Sequence, residues 1–324
     1  MTSEPQQATL NLIDLQETAF SDLYTKKIEP ILQAREGERV DAVKTFFRRA
    51  IAGSIVSVAL CGLVYVIVHD VEFAGYAIAI GGALTAWYAY APVQAVANAT
   101  KFQSLKTIAE AIACSYTVGG FAPDGIEFFT HLSLLPGCDR SNYQDRFAGQ
   151  HHGCDFAFYD GHLERKVRTN KSTSWQTVFR GQLICIEFPK KFLGTTIVRR
   201  DAGMFNFLQR WTTTLQRVGL GDSRLERAFE AYSNDQVEAR YLIHPVFMER
   251  LLDLETRFRG EKLRCAFHEG RLLIAIEGGD KFELGSMFST LLDVKRVRNV
   301  INDLAEIMKV IEAVLTAERG ALPE

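Results

Sequence analysis

Five residues in the middle of the chain carry side chains suited to chemistry. Cys138, His151, His152, Cys154 and His162 offer thiolate and imidazole, the ligand types that zinc prefers. Their spacing fits no compact metal site. There is no CxxC, and on a strand His151 and His152 would point to opposite faces. The expectation is a buried cysteine with exposed histidines beside a turn, with no metal and no cofactor. A second group, Asp235, Glu238, Arg240 and His244, combines acid, base and imidazole as general acid–base catalysis requires. On a helix, however, this spacing suits acids in the first turn and an ion pair from Arg240. No catalytic residue is assigned, and Asp235 and Arg240 stay as candidates for partner binding.

Basic residues gather in Arg165-Lys166-Val167-Arg168-Thr169-Asn170-Lys171, and again at Lys190-Lys191 and Arg199-Arg200. If such hairpin tips face a bilayer, Lys166, Arg168 and Lys171 would each contribute ~1 kcal/mol toward anionic headgroups. In water the same residues are solvated loop charge. Nucleic acid is not expected, because the net charge of −2 gives no global basic field. No GxSxG, P-loop, HExxH or GxGxxG motif stands in a context that would support it.

Residues 115–324 must position these groups, and their pattern is α+β. Gly119-Gly120, Pro123-Asp124-Gly125 and Pro136-Gly137 punctuate the chain before strand-like runs. Phe156 and Phe158 alternate, Asp160-Gly161 reads as a turn, and Leu163 to Val167 reads as the returning strand. Trp175 to Phe188 is the clearest strand and Thr195 to Val198 another, which together predict a mainly antiparallel sheet. Ser233 and Gln236 have capping-box spacing, predicting a short helix to Tyr241 with Ser233 as N-cap. Pro245 suits the first position of the next helix. There Phe247, Leu251, Leu254 and Phe258 share a face and Gly260 marks the stop. Leu263 to Ile276 reads as a hairpin around His268-Glu269-Gly270.

From about residue 286 the pattern predicts one long C-terminal helix. Val294, Val297, Ile301, Leu304, Met308, Ile311 and Leu315 step as a heptad a/d stripe, the pattern of a coiled coil and a route to homo-oligomers or a protein partner. Val300, Ile307 and Val314 widen the stripe, which favours a broad face packed on the sheet.

The N-terminal third differs in kind. Ala50 to Val68 is about nineteen residues without a charge, close to the ~20 that cross a bilayer core. Phe73 to Ala91 is similar, and His69-Asp70-Val71-Glu72 links the two. Core helices are usually shorter and amphipathic, so residues 50–99 predict a transmembrane helical hairpin. Gly53 and Ser57, Ala79 and Ala83, and Gly82 and Ala86 recur four apart, as at close helix contacts in lipid. Trp87, Tyr88 and Tyr90 cluster as interfacial rings do. Lys44, Arg48 and Arg49 precede the first run and Lys101 and Lys106 follow the second, while the link holds no Lys or Arg. The positive-inside bias then leaves both termini in the cytoplasm. Residues 1–49 read as amphipathic helices interrupted at Pro30 and Gly37, polar enough that no signal peptide is expected. Residues 100–114 read as a helical connector. The six cysteines are scattered and read as free thiols.

Three stretches resemble one family. Leu23-Tyr24-Thr25-Lys26-Lys27-Ile28-Glu29-Pro30-Ile31-Leu32 is similar to the pre-membrane helix of bacterial proteins grouped as domain of unknown function 3137. Trp175 to Leu183, continuing through Glu187-Phe188-Pro189-Lys190, resembles a strand segment of that family. The most specific stretch runs from Phe229-Glu230-Ala231-Tyr232-Ser233-Asn234-Asp235-Gln236 to Leu242, then Pro245 and Phe247-Met248-Glu249-Arg250-Leu251-Leu252. The resemblance spans roughly Leu23 to Gly279. It implies two spans in the bacterial inner membrane and a cytosolic α+β domain, without a reaction. The expectation is a multi-pass, membrane-anchored, non-enzymatic protein whose cytosolic domain binds a partner protein or the inner leaflet. The alternative is a membrane-tethered hydrolase or metal-dependent enzyme using the His/Cys-rich region.

Overall fold

In a computed structural model, residues 17–169, 172–189, 191–200, 215–258, 260–279 and 286–320 are described. The start of the expected N-terminal amphipathic helices, residues 1–16, and the cations Lys171 and Lys190 lie outside them. The chain divides into two units: residues 17–107 with 283–297, and residues 108–282 with 298–324.

The first unit is helical. Helix α1 (Glu17–Leu23) passes through a π-helical turn, Tyr24–Ile28, into α2 (Glu29–Val68). Pro30 and Gly37 therefore do not separate two helices, as the sequence had suggested. Pro30 sits in the first turn of α2, where its missing N–H needs no partner, and the wider π turn absorbs the change of pitch. His69 ends α2 in the left-handed conformation, and Asp70 accepts from the Glu72 amide at 2.7 Å to start α3 (Val71–Ala111). The helical connector expected over residues 100–114 is the continuation of α3, which runs to Ala111.

Helices α2 and α3 meet through small residues. A Cβ on Gly53 would lie 2.4 Å from Thr85, and one on Gly81 would lie 2.7 Å from Ser57. Ser57 and Thr85 hydroxyls are 3.4 Å apart. The first helix thus uses Gly53 and Ser57 as expected, but the second uses Gly81 and Thr85 rather than the Ala79–Ala83 or Gly82–Ala86 pairs. Arg49 stacks 4.3 Å above the Tyr88 ring and donates to the Tyr88 carbonyl. Large apolar side chains elsewhere on both helices point outward, among them Ile51, Ile55, Val58, Val66, Ile80 and Leu84. By length and composition the helix Phe20–Val68 can cross a membrane.

Residues 286–293 lie along the N-terminal half of α2: Leu291 N donates to Glu36, Arg39 donates to the Met287 carbonyl, and Phe46 packs edge-on to Phe288. Arg39, then the Leu291 amide, hold Glu36 below the usual carboxylate range despite its partial burial.

Among the described residues the second unit is a nine-stranded antiparallel sheet in the order β1-β2-β3-β4-β9-β8-β5-β7-β6. The strands are β1 Ser115–Thr117, β2 Arg140–His151, β3 Cys154–Arg168, β4 Thr173–Glu187, β5 Thr196–Arg200, β6 Gln216–Val218, β7 Phe229–Ser233, β8 Glu261–His268 and β9 Arg271–Glu277. Both sheet faces are covered at the centre. Leu183, Ala266, Leu273 and Ala275 pack with Phe129 and Leu132 of the α4 region (α4, Ile126–His131). On the opposite face Phe267 meets Phe247 of α7 (Pro245–Arg257). Strands buried on both sides need apolar residues at every position, hence the unbroken run from Leu183 to Ile186.

Three local expectations are corrected. Asp160-Gly161 is not a turn: β3 runs straight through it, because Gln182 donates to the Asp160 carboxylate and Leu183 packs where a Gly161 Cβ would point. Ser233 is not the N-cap of α6 (Gln236–Leu242); Asp235 is, accepting from the Val237 and Glu238 amides, while Ser233 closes β7. The C-terminal helix, α8 (Val294–Gly320), starts later than expected, at Asp293, which accepts from the Lys295 amide. The short helix α5 (Ser223–Ala228) follows β6. The Pro245 start of α7 and the His268–Gly270 hairpin fall as read. In the second unit α8 runs beside α7, with Arg257 bound to Asp303 at 2.5 Å and His244 to the Ala313 carbonyl at 3.2 Å. Its broad face, including Ile301, Leu304, Ile307 and Ile311, is buried.

Candidate functional site

The His/Cys group separates when folded. Cys138 stands just before β2, at the far end of that strand from His151, on the order of 35 Å away. His162 points to Thr177, 2.9 Å distant. Cys154 faces His151 across the ladder but is fully buried.

His151 and His152, by contrast, come together, and the strand argument against them fails for a local reason. His151 pairs with Cys154, so His152-Gly153 is a two-residue turn, and both its residues have positive φ, 49° and 82°. That is the backbone of a type I′ hairpin. The left-handed His152 leaves the strand's alternation and swings its ring to 4.4 Å from that of His151. From α8, Glu312 places one carboxylate oxygen, Oε1, 3.3 Å from His151 Nε2 and 3.5 Å from His152 Nε2. All three atoms lie within 4.8 Å of one another. Burial holds His151 below the usual histidine range; the Glu312 carboxylate opposes this, while His152 adds to it. Glu312 was out of reach of sequence reasoning, because its partners are 161 positions away and it sits among ordinary helical acids.

At Cys114, Cys138, Cys185 and Cys265 burial disfavours the thiolate. Burial pushes Cys114 up to about 11 and Cys185 up to about 12, and drives Cys265 higher still. Cys138 is raised by partial burial and by Asp139, with Arg165 opposing.

Asp235, Glu238 and His244 serve the fold. Glu238 accepts from the Leu193 and Gly194 amides, both at 2.7 Å, which ties α6 to the approach to β5. His244 is the N-cap residue of α7. Arg240 is exposed on α6.

Of the basic residues, Arg165, Lys166 and Arg168 occupy the end of a long hairpin, whereas Arg199 and Arg200 on β5 pair with Glu230 and Glu255. Past Glu164, β3 and β4 continue as a two-stranded ribbon, Arg165–Arg168 against Thr173–Gln176. Among the described residues, Thr173–Phe179 has no strand on its other side. Trp175, 41% exposed, lies beneath Arg140 at 4.1 Å and Lys166 at 5.8 Å.

Residues 177–315 match the family model described as Protein of unknown function (DUF3137). Over this stretch the chain is similar to the DUF3137 family. The match runs from β4 to within α8, so most of the C-terminal helix, which the sequence resemblance had left aside, lies inside it. Glu312 is within the DUF3137 stretch, whereas His151 and His152 precede it. Among solved structures, the crystal structure of the mycobacterial trehalose monomycolate transport factor A, TtfA, is similar at 12% identity, over 62% of this chain and 93% of that one, with a TM-score of 0.33. A likeness of that size carries no argument. No curated protein matches.

Proposed function

We propose that this is a membrane-anchored binding protein: α2 and α3 both span the bilayer, and the sheet unit works at the inner leaflet. The observation that carries the reading is the outward face of the two helices. Continuous apolar surface beyond a few hundred Å² is rare on soluble monomers, yet here Ile51, Ile55, Val58, Leu63, Val66, Phe73, Ile80 and Leu84 all stand exposed. Arg49 against Tyr88 is the cation and ring pairing found at headgroup level. The flanking Lys44, Arg48, Arg49, Lys101 and Lys106 orient both termini to the cytoplasm under the positive-inside bias.

At the leaflet the basic ribbon is the contact surface. An isolated two-stranded ribbon is marginal in water, and Trp175 beneath two cations is amphipathic in the way interfacial residues are. The test is the full chain in proteoliposomes, retaining Trp175 with Trp87 and Trp211 replaced by Phe. Brominated lipid should quench Trp175 when anionic lipid is present, and Lys166→Glu with Arg168→Glu should abolish that dependence. Quenching indifferent to lipid charge would overturn the leaflet contact. A C-terminal reporter active only outside would overturn the orientation.

A further inference from the structure

We propose that His151, His152 and Glu312 form a zinc-type metal site that fastens the C-terminal helix α8 to the β2–β3 turn. Three ligand atoms converge from two elements. Two imidazole nitrogens and one carboxylate oxygen are a donor set for zinc and its neighbours, and a poor one for Mg²⁺ or Ca²⁺, which take oxygen.

The distances admit a metal: the two imidazole-to-carboxylate separations match a tetrahedral edge, and with all three atoms within 4.8 Å of one another an ion would draw the two rings closer. N–H···O bonds cluster near 2.9–3.0 Å, and charge-assisted ones are shorter. The two imidazole-to-Oε1 separations here are 3.3 and 3.5 Å. With zinc bonds of about 2.0–2.2 Å, neighbouring ligands of a tetrahedron stand about 3.4 Å apart. One oxygen also serves both rings, which is crowded for two N–H donors and natural for atoms sharing a cation. The turn adds a second observation. Left-handed φ at a non-glycine residue is uncommon, and this turn type ordinarily places Asn or Asp before Gly. His152 instead occupies that position with φ 49°, and the conformation is what brings its ring to the cluster.

Three protein ligands leave a fourth position for water or an incoming donor, the arrangement of open zinc sites. Because the ligands come from a hairpin turn and a helix distant in sequence, the metal binds the folded state alone and stabilises the contact between them.

The experiment uses the full chain in detergent, stripped with chelator and titrated with Zn²⁺ alone, with Co²⁺ as a spectroscopic substitute. One equivalent of Zn²⁺ is expected, together with the intense visible absorption of low-coordinate Co²⁺ and a rise in Tm. Removing even outer-shell partners of a metal costs 10–100-fold in affinity, so losing a ligand should weaken binding by about 100-fold or more. Glu312→Gln and His152→Ala should each do so. Should Glu312→Gln unfold, the half-exposed His152 gives a variant whose fold does not depend on that side chain. Absence of stoichiometric binding, or binding that survives His152→Ala, would overturn the site.

Discussion

The two units contain the same kinds of apolar residue and treat them oppositely. In the sheet unit Leu272, Ile274 and Ile276 are fully buried, whereas in the helical unit Ile55 is 65% exposed and Ile67 69%. Water drives the first arrangement, because burying apolar area is the dominant favourable term in folding. The second arrangement leaves apolar area uncovered, which is costly in water and, under the proposed membrane reading, is met by lipid. There, helix contact relies on close packing, so small residues such as Gly53, Ser57, Gly81 and Thr85 mark the interface instead of large ones. The difference teaches that side-chain type alone does not locate a core; the solvent on the other side does.

The comparison is broken most severely in the sheet. Phe247→Ala should lower unfolding free energy by roughly 3–5 kcal/mol, measured by denaturant melting, while Ile55→Ala should stay within about 0.5 kcal/mol. Equal effects would erase the distinction between the units. Next, Ile55→Asp should cost roughly 2.5–3.5 kcal/mol of bilayer insertion, seen as release from membranes on alkaline extraction. On a water-facing surface the same change would be nearly silent. A smaller effect is expected at the N-cap of α6, where Asp235→Ala removes two amide contacts at about 1 kcal/mol.

The smallest effect is on pH dependence. Burial, with His131 and Arg271 adding to it and Glu269 opposing, holds His268 below the ordinary histidine range. A depressed folded value means the unfolded chain binds the proton first as pH falls. The contribution of neutral His268 is therefore fully present above about 6.5 and is lost as pH drops from there through the folded value. His268→Gln should flatten the stability profile in that window, followed by Tm against pH.

How much of this was legible in the sequence depends on the range of the cause. Elements set by neighbours read correctly: the His69–Glu72 link, the Pro245 start of α7 and the His268–Gly270 hairpin each carry their signal locally. Asp160-Gly161 misled because a turn dipeptide was overruled by a Gln182 contact and by Leu183 packing from the next strand. Pro30 misled because the π turn before it absorbs the break. The metal-type cluster was half legible. The histidines were visible, but the turn at His152-Gly153 lacks the usual Asn-Gly signature, and Glu312 joins them only through the tertiary packing of α8.

The central claim, that the outward faces of α2 and α3 lie in lipid, is tested most directly by spin labels in the reconstituted full chain. Labels at positions 55, 58, 80 and 84 should relax faster with dissolved oxygen, which concentrates in lipid, than with a water-soluble nickel chelate. The reverse order at these positions would contradict the account.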